Sequence, residues 1–179
     1  MFEDIFKIIS ETLPEAGVDC LLIGGFAVNH YGYTRNTLDV DFMIVGTDAS
    51  AVGRMMHDAG FVNIDERDNV LFCSRSEGGP RIDFLKVDVE TMRKLQGNAR
   101  EITMYGFSLR LPCLHDLIAM KIFALTQNTA RRMAKDLPDI AYLAVLNDLD
   151  LEADLKPLCD RYGSPPVYTM IADQMEALR

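Results

Sequence analysis

A short apolar run, Val18 to Ile23, ends in Gly24-Gly25, and a brief helix later a second run, Leu38 to Val45, carries two aspartates, Asp39 and Asp41, one residue apart. In a strand alternate side chains share a face, so Asp39 and Asp41 point together while Val40, Phe42 and Ile44 point into a core. The local order is therefore strand, glycine turn, short helix over Phe26 to Tyr31 stopped by Gly32, and strand. Two carboxylates forced side by side repel unless a cation lies between them. Oxygen ligands without His or Cys favour a hard divalent ion such as magnesium over zinc.

The rest of the chain supplies the frame for that strand pair. Phe2, Ile5, Phe6, Ile9 and Leu13 recur at helical spacing until Pro14 to Gly17 break the pattern. Asp48 caps a helix to Ala59 closed by Gly60, and Val62 to Ile64 with Val70 to Ser74 reads as a hairpin around Asp65-Glu66-Arg67-Asp68. Arg81 to Val87 is a further strand with Ile82 and Phe84 on one face and Asp83 on the other. Asp88 to Gln96 reads as a capped helix, and Ile102 to Met104 with Phe107 to Leu109 as a hairpin turning at Tyr105-Gly106. Beyond Pro112 the texture is helical only: Leu114, Leu117, Ile118, Ile122 and Leu125 form one stripe, followed by helices over Asp136 to Leu146, Leu151 to Tyr162 and Val167 to Leu178. The expected organisation is an α/β core over 1–111 and a helical segment over 112–179 packed on it.

Composition narrows the class of partner. The 179 residues suffice for one well-buried domain, and 18 Lys and Arg against 27 Asp and Glu give a net charge of −9, unsuited to broad nucleic-acid binding. A confined basic groove for RNA stays open. Cys20, Cys73, Cys113 and Cys159 lie in apolar contexts without a Cys-x-x-Cys pair, as reduced core thiols do. With neither a leader-like start nor an apolar run of bilayer length, the expectation is a cytoplasmic protein without a membrane partner.

Three carboxylates at strand positions, Asp39, Asp41 and Asp83, can converge on a pair of divalent ions, with Asp83 also orienting or deprotonating a nucleophile. Gly24-Gly25, where a strand feeds a helix, lets backbone N–H groups meet a phosphate closely. Arg35 and Thr37 lead into the second strand, where a guanidinium could meet phosphate and a hydroxyl could brace the ligands. Lys121 lies amid the apolar stripe, so its ammonium needs an anion: a nucleotide phosphate, or a core carboxylate such as Asp136. Asp136 itself reads as an N-cap, with Pro138 in the first turn and Asp139 in a capping-box-like position. Arg131, Arg132 and Lys135 read as a solvated face, and no His, nor a Ser–His–Asp set, is assigned chemistry.

Gly-Gly, short helix, Arg35-Asn36-Thr37-Leu38-Asp39-Val40-Asp41 and a later strand Asp together resemble the DNA polymerase beta-type nucleotidyltransferase superfamily. Gly24-Gly25-Phe26-Ala27, Tyr31-Gly32, the segment from Leu114 to Lys121 and the segment from Lys135 to Ile140 are similar to its abortive-infection toxin branch. The resemblance, spanning roughly residues 18–146, implies a nucleotidyltransferase fold of α/β (α+β) class, a mixed sheet flanked by helices. It also implies magnesium, as two ions, on Asp39, Asp41 and Asp83, and nucleoside triphosphate at Gly24 and Gly25 with Lys121 in contact. Gly25 departs from the superfamily, many of whose members place a phosphate-binding serine there. The activity implied is transfer of a nucleoside monophosphate to a hydroxyl of RNA, protein or a small molecule, in some members as a toxin beside an antitoxin. The competing readings are a non-catalytic nucleotide- or partner-binding module and a metal-dependent phosphohydrolase.

Overall fold

The computed structural model describes residues 2–76 and 81–179. Its backbone contacts divide the chain into two units: one takes the chain to Ala27 and again from Asn36 to Cys113, the other takes Val28–Arg35 and Leu114–Arg179.

The first unit is built on a five-stranded sheet of β1 (Cys20–Ile23), β2 (Val40–Val45), β3 (Asn63–Glu66), β4 (Val70–Ser74) and β5 (Arg81–Val87), in the order β1-β2-β5-β4-β3. Only β2 and β5 run parallel; the other neighbours are antiparallel. Val40, Phe42, Ile82 and Phe84 are wholly buried on one face, as the two-residue period requires. Phe42 stacks on Phe84 at 5.8 Å between centroids and meets Phe6 edge-on at 6.4 Å. Each such ring contributes roughly 1.5–3 kcal/mol by leaving water.

Phe6 comes from α1 (Phe2–Lys7), which continues through a wide π turn, Ile8–Thr12, into α2 (Leu13–Glu15). The sequence pattern alone implies one regular helix here. In α geometry the Pro14 ring would strike the Ser10 carbonyl, and the widened turn relieves that clash. A second π turn, Leu151–Leu155, likewise ends two residues before a proline, Pro157.

Helix α3 (Gly24–His30) starts at the first glycine of the pair, ahead of the expected Phe26. A 3₁₀ turn, Gly46–Asp48, leads into α4 (Ala49–Asp58), whose preceding Asp48 makes no side-chain cap. Before α5 (Val89–Gly97), by contrast, the Asp88 carboxylate accepts from the Thr91 N–H at 2.7 Å. The hairpin of β6 (Arg100–Met104) and β7 (Phe107–Leu111) turns on Tyr105 and Gly106, both at positive φ, 52° and 83°.

The second unit comprises α6 (Leu114–Gln127), α7 (Thr129–Arg132), α8 (Asp136–Leu146), the second π turn, α9 (Lys156–Tyr162) and α10 (Pro165–Ala177). Segment 28–35 joins it by specific bonds: Asn147 Nδ2 donates to the Tyr31 carbonyl at 3.0 Å and Tyr33 stacks on Tyr142 at 4.2 Å. Among the described residues, no helix is long and apolar enough to cross a membrane.

Candidate active site

In the parallel β2–β5 register Asp41 lies directly beside Asp83. Adjacent strands stand about 4.8 Å apart and paired residues share a face, so the two carboxylates are neighbours by construction. Asp39 differs from its expected setting: it occupies a bend, one residue ahead of the first β2 residue. Strand alternation therefore does not orient it. Its carboxylate stands near Arg81, whose Nη2 lies 3.6 Å from Asp39 Oδ2.

Arg81 is the residue that the sequence pattern did not single out. Its Nε and Nη2 donate to the two oxygens of Asp83 at 2.5 and 2.8 Å, a two-pronged pair, and its guanidinium lies 4.6 Å from the Phe72 ring centroid. The available signal was a cation two positions before Asp83 on one strand, hence on the same face. Burial pushes the Asp83 carboxyl above its ordinary pKa, the Arg81 bonds oppose this, and the Asp41 and Asp39 charges reinforce it. Among the described residues no three His, Cys, Asp or Glu side chains stand gathered as a ready metal cluster. The donor set nonetheless suits a hard divalent ion: all oxygen, all carboxylate, with two members on adjoining strands.

The glycine turn is shaped by the same aspartate. Gly24 adopts φ +62°, and a Cβ on it would run into the Asp41 carboxylate, so the backbone there lies against the acidic face with no side chain interposed. A Cβ on Gly25 would come within 2.6 Å of Thr37 Oγ1, so Thr37 fills the space that a serine at 25 would need. Thr37 Oγ1 donates to the Asp39 carbonyl at 3.0 Å, which braces the bend. A Gly24→Ala protein is expected to be less stable by about 2–4 kcal/mol, from left-handed strain plus overpacking. A urea midpoint equal to wild type would show that the turn yields instead.

Arg35 and Lys121 belong to the second unit, and both are engaged there. Arg35 Nε and Nη2 donate to Asp139 Oδ1 and Oδ2 at 2.7 and 2.9 Å. Lys121 Nζ donates to Asp139 Oδ2 at 2.7 Å and to Asp136 Oδ1 at 3.0 Å, and Arg132 lies 3.4 Å from Asp136 Oδ2. Asp136 is therefore not the expected cap: it is the first residue of α8, 3% exposed, and its carboxylate serves ion pairs. One turn on, Asp139 is fully buried and shares Lys121. Burial pushes the Asp139 carboxyl up, but bonds from Arg35 and the Lys121 charge more than reverse this, leaving its pKa below the ordinary value.

Three of the cysteines are ill suited to chemistry: burial pushes the Cys73 thiol up to about 12 and the Cys159 thiol up to about 11, and Cys20 higher still.

A mixed sheet with paired aspartates on adjoining strands, reached from a glycine turn, is the fold of nucleotidyltransferases. The chain is similar to the antibiotic-resistance factor ANT(2'')-Ia (TM-score 0.59, 16% identity, 98% of this chain and 89% of that one). It is also similar to a nucleotidyltransferase-like protein from Paracoccidioides brasiliensis (0.57, 17%, 98% and 87%) and to the lincosamide antibiotic adenylyltransferase LnuA with bound lincomycin (0.56, 14%, 82% and 98%). At these identities the likeness is one of fold. The sequence profile of the nucleotidyl transferase AbiEii toxin family, of type IV toxin–antitoxin systems, matches residues 8–176, and the chain belongs to that family. No curated protein sequence matches it significantly.

Proposed function

We infer that this nucleotidyltransferase is magnesium-dependent and moves a nucleoside monophosphate from a nucleoside triphosphate to an acceptor hydroxyl, with pyrophosphate as the leaving group. The observation that carries the reading is the placement of Asp41 beside Asp83 on parallel strands, with the side-chain-free Gly24 against Asp41. Asp39, Asp41 and Asp83 would hold the metal, which when bound stabilises charge on the attacking and leaving oxygens of an in-line displacement. Asp83 orients the acceptor hydroxyl and accepts its proton. The bare backbone at Gly24 and Gly25 lets the triphosphate approach, and Thr37 steadies the bend that carries Asp39.

Arg35 and Lys121 are proposed as further phosphate contacts. Three cations, Arg35, Lys121 and Arg132, face two carboxylates, Asp136 and Asp139, so that cluster keeps a positive excess of 3 − 2 = 1. Their close pairing with Asp139 favours a second role within the helical unit: Lys121 ties α6 to α8, and Arg35 ties segment 28–35 to α8. Family membership supports a toxin with an antitoxin counterpart. ANT(2'')-Ia holds an adenylylated tobramycin and LnuA holds lincomycin, so small-molecule hydroxyls are screened as acceptors beside RNA and protein.

Incubation with each α-labelled triphosphate, magnesium and a cell lysate is expected to place label in one acceptor class, with none for Asp39→Ala. Release of free nucleotide with no labelled acceptor would instead indicate a phosphohydrolase. Magnesium-dependent nucleotide binding without turnover would indicate a binding module.

A further inference from the structure

The acidic face carries a cation of the protein's own. Arg81 engages both oxygens of Asp83, at 2.5 and 2.8 Å, and reaches Asp39 at 3.6 Å. Its charge also acts with that of Asp41, so one guanidinium serves three carboxylates and leaves a surplus of 3 − 1 = 2 negative charges. Exposure is unequal across the pair, both of which lie on β5: the Arg81 side chain is 46% exposed and that of Asp83 16%. The Phe72 ring, 4.6 Å from the guanidinium, gives Arg81 a second support independent of any carboxylate.

We propose that Arg81 is a displaceable counterion for the acidic face: it neutralises and positions Asp39 and Asp83 before metal enters, and a divalent ion ligated by Asp83 must take that carboxylate from it. The inference rests on the reading of Asp39, Asp41 and Asp83 as metal ligands. Both Asp83 oxygens lie in the fork of the guanidinium, so a metal ion that chelates this carboxylate competes with Arg81 for the two lone pairs the fork occupies. The residual double negative charge still draws a divalent ion in, and the exposed arginine can swing aside. Arg81 thus lowers metal affinity while keeping the metal-free strands from repelling one another.

Manganese is the probe, titrated without nucleotide and followed by loss of the free-ion paramagnetic signal. Relative to wild type, Arg81→Ala is expected to bind about 10-fold more tightly, the strength of a charged pair discounted for its exposure. Arg81→Lys, a point charge without the fork, should fall between them and carries the comparison should the alanine variant fold poorly. In metal-free buffer Arg81→Ala should melt below wild type, and the gap should close as manganese is added. Equal or weaker manganese binding by both Arg81 variants would overturn the proposal while leaving the metal site standing. Manganese bound as tightly by Asp41→Ala as by wild type would overturn the metal reading, and this inference with it.

Discussion

An Asp39→Ala protein is expected to lose nucleotidyl transfer by about 10³-fold or more while retaining its fold. For stability, Asp39 sits in a bend with its side chain 44% exposed, and its ion pair with Arg81 is a 3.6 Å contact at the surface. Such pairs contribute at most about 1 kcal/mol. For chemistry, an ion held by a few carboxylates loses both its charge balance and its geometry when one ligand goes. The measurement is label transfer by purified protein, with circular dichroism and thermal melting as the control for folding. Transfer near the wild-type rate by a folded Asp39→Ala protein would sink the assignment. Asp41→Ala is a less clean test, because Asp41 also shapes the turn at Gly24.

The largest loss of stability is expected at Asp139. Its carboxylate is fully buried and accepts from both Arg35 and Lys121, and Lys121 is itself only 7% exposed. Removing Asp139 leaves buried positive charge with less compensation, and breaking a buried pair in this way costs about 3–5 kcal/mol. Asp139→Asn keeps the shape and some hydrogen bonding but not the charge, so the same range applies at neutral pH. Acidity should erase the difference. The folded-state pKa of Asp139 lies below the unfolded value of about 3.9, so its contribution is complete above that value and is lost as pH falls through the folded pKa beneath it. Urea unfolding of wild type and Asp139→Asn at pH 7 and at successively lower pH should therefore show a gap that narrows below about pH 3.9. A gap independent of pH would mean that the ionised form contributes nothing.

Local pattern and long-range pairing were unequally legible in the sequence. Alternation placed Ile82 and Phe84 inward and Asp83 outward on β5, and the Asp88 cap and the Tyr105-Gly106 turn also stand where local chemistry put them. These features depend on a few adjacent residues. The partner of Lys121 was narrower in outline: an anion was required, and Asp136 was one candidate, but the shared Asp139 was hidden by its resemblance to a capping residue. Arg35 meets Asp139 across 104 positions, and no local period encodes such a pair. Arg81 escaped notice for a related reason: a charged residue opening a strand resembles an ordinary solvated end until the neighbouring strand is in place. The nucleotidyltransferase class was legible because its motif is itself local, a glycine turn and two aspartates within one β1–α3–β2 stretch.

Strand β5 is last of the five in sequence yet lies between β2 and β4. During synthesis the ribosome therefore delivers two antiparallel strand pairs first, β1–β2 bearing Asp41 and β3–β4 bearing Phe72, with no strand yet between them. The arrival of Arg81–Val87 fuses the two pairs into one sheet and brings Asp83 to Asp41 in the same event. A nascent or prematurely terminated chain ending before residue 81 cannot assemble the acidic pair. For a member of a toxin family, translation itself then withholds the acidic face until the central strand has been made.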